Sequence, residues 1–285
     1  MYTFIIWRDG RVAECGRLES DYPVMNRIGG SNPPLSSIIF GFKGRVMIAK
    51  KDPINILKKL VKERYQFAQA AIWTGSVSQN RGNGESDLDI TIITEKVDFA
   101  YRQAFMYEGW PVDAFVYDVS SLHSFFELAR DHDKYAAVIR LIYEGHDILE
   151  PNEVSQSIKK MAIKIWQEGP IPWTQKRIDA ARFFITDVIH DIQTPSTQEE
   201  QIASTMYLYE PLIQFYFRAQ TKWAASGKAL IRYLKEDNPA YAQQITKGFE
   251  QVMQTGECET LKEVVKEILN PYGGFLWDGF GDTVL

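Results

Sequence analysis

The sequence predicts an α+β fold: a short mixed sheet flanked by helices, followed by an all-helical C-terminal domain. Three observations predict it. Short apolar strands alternate with helical periods over residues 53–130. After Pro151 almost every segment carries the 3.6-residue period of a helix. The first fifty residues instead repeat a strand–turn–strand pattern. The expected organisation is therefore a β-rich N-terminal extension at 1–50, a mixed core at 51–150 and a helical domain at 151–285.

Each element has a local cause. "YTFIIWRDGRVAEC" reads as two strands around an Asp-Gly turn, and "SSIIFGFKGRVMIAK" as two more around Lys43-Gly44. A helix starts at Asp52-Pro53, with aspartate as cap and proline in the first turn, and Ile54, Leu57, Leu60, Val61 and Tyr65 form its apolar face. "AAIWT" is a short strand running into Gly75, and "DLDITIIT" a second strand. Residues 97–108 are compatible with a helix. "WPVDAFVYDV" is a further strand, and "SSLHSFFELARD" a helix with a serine cap. Beyond Pro151, helices are predicted at 153–168, 174–192, 198–226, 229–236, 238–255 and 259–269, with Ile178, Ala181, Phe184, Ile185 and Val188 as one apolar stripe.

Composition narrows the function classes. The 285 residues carry 45% hydrophobic side chains and a net charge of −5, enough apolar surface for a core and no basic excess for duplex binding, so nucleic acid is not the expected partner. The two cysteines, Cys15 and Cys258, make no metal spacing and no disulfide framework, and the four histidines form no ligand pair. No apolar run reaches the ~18 residues of a spanning helix, and the first residues lack a signal-peptide pattern. A cytoplasmic protein without a membrane partner is expected.

The chemistry concentrates in "GSVSQNRGNGESDLDI", Gly75 to Ile90. Side chains alternate along a strand, so Asp87, Asp89 and Thr91 share one face while Leu88, Ile90 and Ile92 share the other. Two carboxylates on one face repel each other, and a divalent cation with oxygen preference relieves the repulsion. Asp113, flanked by Val112 and Ala114, supplies a third carboxylate on a later strand that can lie beside the first, parallel or mixed. Gly75 permits a sharp turn, Ser76 offers a hydroxyl where backbone N–H groups can meet a phosphate, and Arg81 in the polar loop can reach toward a triphosphate. A lone Asp-x-Asp is as often surface chemistry as a metal site, and a lone Gly-Ser turn is weaker still; the three features together are the signal.

These residues resemble the nucleotidyltransferase superfamily that includes DNA polymerase beta and the bacterial aminoglycoside and lincosamide nucleotidyltransferases. Gly75-Ser76 match its first element, Ser86-Asp87-Leu88-Asp89 its second and Asp113 its later carboxylate. Arg81-Gly82 fall about two residues later in the loop than in many members. The resemblance covers roughly 53–118, and "KWAASGKALIRYLKED" and "NPYGGFLWDGF" are similar to stretches of poorly characterised bacterial members. It implies that 51–150 is the catalytic domain. It further implies that Asp87, Asp89 and Asp113 hold Mg²⁺, that Gly75, Ser76, Arg81 and Ser86 bind the nucleotide, and that Asp113 also activates an acceptor hydroxyl.

The implied reaction moves a nucleoside monophosphate from a nucleoside triphosphate, ATP being the expected donor, to a hydroxyl of a small, antibiotic-like molecule. That acceptor is expected between the carboxylate strands and the helical domain, and a second copy of the chain completes the groove in some relatives. Lys228, beside a glycine at a helix start, is a candidate phosphate or acceptor contact, with a solvent-facing lysine as the plainer reading. Asp187, Asp191 and Glu210 are candidates for a separate base. Trp166, Trp173, Tyr207, Tyr209, Phe215, Tyr216, Phe217 and Trp223 are expected mostly in the core, some beside an acceptor. Other classes share parts of this equipment: a metal-dependent sugar transferase, a non-catalytic or toxin–antitoxin-type protein of the same fold, and an enzyme that acts on RNA or protein.

Overall fold

A computed structural model gives the fold, and it describes residues 4–6, 12–14, 52–79 and 86–281. The chain divides into two compact units, Met1–Ser121 with Asp147–Glu150, and Leu122–His146 with Pro151–Leu285. A mixed sheet flanked by helices is followed by an all-helical region, the architecture that the alternation and the later helical period predict. Strands β1 (Phe4–Ile6) and β2 (Val12–Glu14) pair antiparallel, with Phe4 opposite Glu14. The second predicted strand pair, near Lys43-Gly44, lies outside the described residues.

Helix α1 spans Pro53–Arg64 and begins as its residues dictate: Asp52 accepts the Ile54 N–H at 3.3 Å and proline occupies the first turn. β3 (Ala70–Thr74) runs directly into α2, a single turn of Gly75–Ser78. β4 (Leu88–Thr94), β5 (Tyr101–Tyr107), β6 (Trp110–Asp118) and β7 (His146–Asp147) complete a five-stranded sheet ordered β5-β6-β4-β3-β7. One face carries Leu88, Ile90 and Ile92 of β4 and Val112, Ala114 and Val116 of β6, packed with Ile56, Leu57, Leu60 and Val61 of α1 in a single core cluster. Each Leu, Ile or Val of this set contributes roughly 1.5–3 kcal/mol on burial, and only this alternate set can face α1 without turning the aspartates between them toward it.

One expectation is overturned. Residues 97–108 do not form a helix; β5 is a strand, antiparallel to β6. The reason is the turn. Tyr107 pairs with Trp110 across Glu108-Gly109, which have φ of 50° and 82°. Two consecutive left-handed residues make the tight hairpin whose twist suits flanking strands. The helix-forming residues Ala104, Gln103 and Met106 give way to that turn and to pairing with β6 from Trp110 to Val116. The crossover between β4 and β6 is therefore a loop and an edge strand rather than a helix, and β4 and β6 pair in parallel.

Helix α3 (Val119–Ala129) is capped by Asp118 rather than by serine alone. Asp118 Oδ1 accepts the Ser121 N–H at 2.7 Å, and the Ser121 hydroxyl accepts the Asp118 N–H at 3.0 Å. This is a reciprocal cap. Burial pushes the Asp118 carboxyl up, but hydrogen bonds from Ser121, Ser120 and the Val97 N–H outweigh it and hold the pKa below the ordinary value. A depressed folded-state pKa contributes stability that is complete above the unfolded value of about 3.9 and is lost as pH falls through the folded value. Asp118→Ala is expected to cost about 1 kcal/mol at neutral pH. Denaturant melts should show the gap to the native chain closing as pH drops below about 4.

The helical unit begins within α3 and continues with α4 (Asp133–Glu144), α5 (Glu153–Glu168), α6 (Gln175–Gln193), α7 (Gln198–Arg218), α8 (Gly227–Asp237), α9 (Pro239–Thr255) and α10 (Glu259–Leu269). The predicted stripe on α6 is real: Ile185 and Val188 are buried in the main helical core, and Ile178, Ala181 and Phe184 pack against it. α7 stops well short of its predicted end, at Arg218. Thr221 turns the chain with φ 56°, the Lys222 N–H bonds back to Phe217 O at 2.9 Å, and Trp223 stacks on Trp166 with ring centres 5.0 Å apart. Trp223, Phe215, Tyr216 and Phe217 are buried, whereas Tyr207 is exposed. Among the described residues no helix is long and apolar enough to cross a membrane.

Candidate active site

Sheet register builds the site. Thr74 of β3 lies opposite Asp89 of β4, Asp89 opposite Asp113 of β6, and Asp113 opposite Ala104 of β5. Cross-strand partners share a face, so Thr74, Asp89, Asp113 and Ala104 form a row across four strands on the side away from α1. Asp87 sits just before β4, two residues from Asp89 and on the same face. One oxygen from each of Asp87, Asp89 and Asp113 lies within 4.8 Å of the other two. Asp113 is buried at 6% exposure, while solvent still reaches Asp87 and Asp89.

The turn after β3 is shaped for this cluster. Gly75 has φ 80°, a conformation that an L side chain adopts only at a cost. A Cβ at that position would lie 2.6 Å from Asp89 Cγ and 2.9 Å from Asp89 Cβ. Glycine is therefore needed twice, for the backbone and for the space that the carboxylate fills. Ser76 follows as the second residue of α2 and is half-buried, and the Ser78 hydroxyl ties the turn by donating to Gly75 O at 2.8 Å. Ser86 is half-buried, one residue before Asp87.

Arg102 is not among the residues that the sequence pattern singles out. From β5 its guanidinium reaches diagonally to Asp113, with Nε 2.7 Å from Oδ1 and Nη2 2.5 Å from Oδ2. Both carboxylate oxygens are thereby engaged, and the guanidinium also lies 5.2 Å from the Phe115 ring centre. The Arg102 pKa is raised chiefly by the hydrogen bond to Asp113; partial burial opposes this, and the charges of Asp113, Asp89 and Asp87 reinforce it. The signal was present in Glu108-Gly109. A two-residue hairpin there sets Ala104 opposite Asp113, with Arg102 two residues along on the same face.

The donor set suits a hard divalent cation. All three groups are carboxylates with no nitrogen or sulfur among them, the preference of Mg²⁺ or Mn²⁺ rather than of softer metals. Opposite oxygens around Mg²⁺ stand about 4 Å apart. The three oxygens lie within 4.8 Å of one another, close to that span.

Comparison with known proteins adds little. No family model and no curated protein matches the chain. A solved structure does: the nucleotidyltransferase-like protein from Exiguobacterium sibiricum 255-15 covers 78% of this chain and 74% of its own, at 12% identity and a TM-score of 0.39. A likeness at that level carries no argument.

Arg81 lies outside the described residues. Lys228 is exposed in the first turn of α8, in the helical unit. Glu210 is held by local bonds, accepting from Gln214 Nε2 at 3.0 Å and from the Gly227 N–H at 3.5 Å. Asp187 is half-buried on α6 and Asp191 is exposed. A groove of about 350 Å³ between α9 and α10, lined by Glu259, Glu263 and Glu267 among others, holds none of the candidate residues.

Proposed function

We propose that the protein is a Mg²⁺-dependent nucleotidyltransferase whose catalytic domain is 51–150, and that it moves a nucleoside monophosphate from a nucleoside triphosphate, ATP in the first instance, to a hydroxyl of a small molecule. The observation that carries this reading is the register Thr74–Asp89–Asp113, which sets a glycine turn and three carboxylates on one face at one end of a sheet. Asp87, Asp89 and Asp113 would hold the metal. Bound there, Mg²⁺ supplies charge neutralisation for the triphosphate and for the departing pyrophosphate.

The chain's own groups do the rest. Gly75 offers its backbone to the phosphates and leaves Asp89 the space its carboxylate fills, Ser76 donates its hydroxyl to a phosphate oxygen, and Ser86 and Arg81 bind the nucleotide. The acceptor oxygen attacks the α-phosphorus, a new P–O bond forms, and the bond to the β-phosphate oxygen breaks. Asp113 takes the hydroxyl proton and passes it to solvent. Lys228 is a lesser candidate for contact with acceptor or phosphate.

The test is a transfer screen with α-labelled ATP, GTP and CTP and Mg²⁺ against hydroxylated metabolites, antibiotics, proteins and short RNAs. The expected product is a small molecule heavier by one nucleoside monophosphate, with pyrophosphate released in equal amount. Labelling of RNA or protein alone would overturn the small-molecule acceptor. No transfer to any acceptor, with no triphosphate binding, would overturn the enzyme reading.

A further inference from the structure

The third carboxylate of the proposed site already has a partner. We propose that Arg102 is a positioning residue that closes the Asp113 side of the cluster to cations until an anionic substrate draws its guanidinium away, so that full metal occupancy follows triphosphate binding. This inference rests on the nucleotidyltransferase reading and adds an order of events to it.

Three observations carry it. Both Asp113 oxygens accept from Arg102, so a cation that uses Asp113 competes directly with a two-pronged, charge-assisted pair. Asp113 is buried, and a buried carboxylate left without a positive partner is costly; the position is therefore held by either the guanidinium or a metal. Arg102 can leave: its side chain is 58% exposed and stands on β5, an edge strand among the described residues. Charge supports the same sequence. With Arg102 in place, the three carboxylates and one guanidinium are balanced by a single divalent ion. With Arg102 withdrawn, the cluster can accommodate a second. A triphosphate offers the displaced guanidinium what a carboxylate does, paired anionic oxygens on which its planar fork binds equally well.

A purely structural ion pair predicts something different: its loss would lower stability and leave metal binding unchanged. The experiment measures Mn²⁺ affinity and stoichiometry by electron paramagnetic resonance and calorimetry. It compares the native chain with Arg102→Gln, Arg102→Lys and Asp89→Asn, with and without a triphosphate analogue whose α–β bridge cannot be cleaved. Without the analogue, Arg102→Gln should bind Mn²⁺ about ten-fold more tightly than the native chain and take up a further ion. With the analogue, the native chain should reach the same stoichiometry. Saturating Mn²⁺ should also raise the melting temperature of Arg102→Gln more than that of the native chain.

Equal nucleotide-free affinity and stoichiometry in Arg102→Gln and the native chain, with binding lost in Asp89→Asn, would overturn the role of Arg102 and leave the metal site standing. Mn²⁺ binding that Asp89→Asn leaves untouched would overturn the site, and the role of Arg102 with it. Should Arg102→Gln fail to fold, Arg102→Lys decides, because it keeps the charge and loses the fork. Nucleotide-free Mn²⁺ affinity no tighter than native would then overturn the proposal.

Discussion

Asp89→Asn is expected to abolish nucleotidyl transfer, by about 10³-fold or more, equivalent to roughly 4 kcal/mol of lost transition-state stabilisation. Asp89 lies within the row, flanked by Thr74 on one strand and Asp113 on the next, and its carboxylate fills the space beside Gly75. Asparagine keeps the shape and removes the charge, so the turn and the strand pairing should survive. Removing one of three mutually repelling carboxylates should leave thermal stability unchanged or slightly raised. The check pairs initial rates of transfer from α-labelled ATP with a thermal melt. Rates within ten-fold of native, at an intact melt, would remove Asp89 from the chemistry.

Gly75→Ala should lower both stability and transfer, whereas Gly109→Ala should lower stability alone. The two glycines have nearly the same φ, 80° and 82°. They differ in surroundings: a Cβ at Gly109 meets nothing within 4 Å, while one at Gly75 overlaps the Asp89 carboxylate. Left-handed strain alone costs about 1–2 kcal/mol. That is the whole expected effect at Gly109. At Gly75 the displaced carboxylate adds to it, for a total of roughly 2–4 kcal/mol. Transfer should fall by about 10²-fold or more, because Asp89 leaves its place in the cluster. Denaturant unfolding and initial rates on both variants separate strain from collision. Equal losses in the two variants would mean that Asp89 does not depend on the Gly75 gap.

Much of the architecture was legible because its causes are local. Asp52-Pro53 announces α1, the stripe from Ile178 to Val188 announces α6, and alternation in "DLDITII" separates the buried isoleucines from the aspartates. The candidate carboxylates were legible for the same reason, since strand periodicity alone puts Asp87 and Asp89 on one face. The structure differs where local preference lost to strand pairing. Residues 97–108 contain good helix formers, and the hairpin at Glu108-Gly109 overrides them through pairing with β6. Missing that strand meant missing Arg102.

The sequence by itself determined which residues are the candidates for the chemistry: three aspartates, a glycine-serine turn and the strands that hold them. Only the tertiary structure decided how they meet. Parallel pairing of β4 with β6 sets Asp113 level with Asp89, and antiparallel pairing of β5 with β6 brings Arg102 onto Asp113. The physical reason is that side-chain periodicity is written in neighbouring residues, whereas strand order and register are settled by contacts between residues far apart in the chain, where small differences in packing choose one partner over another.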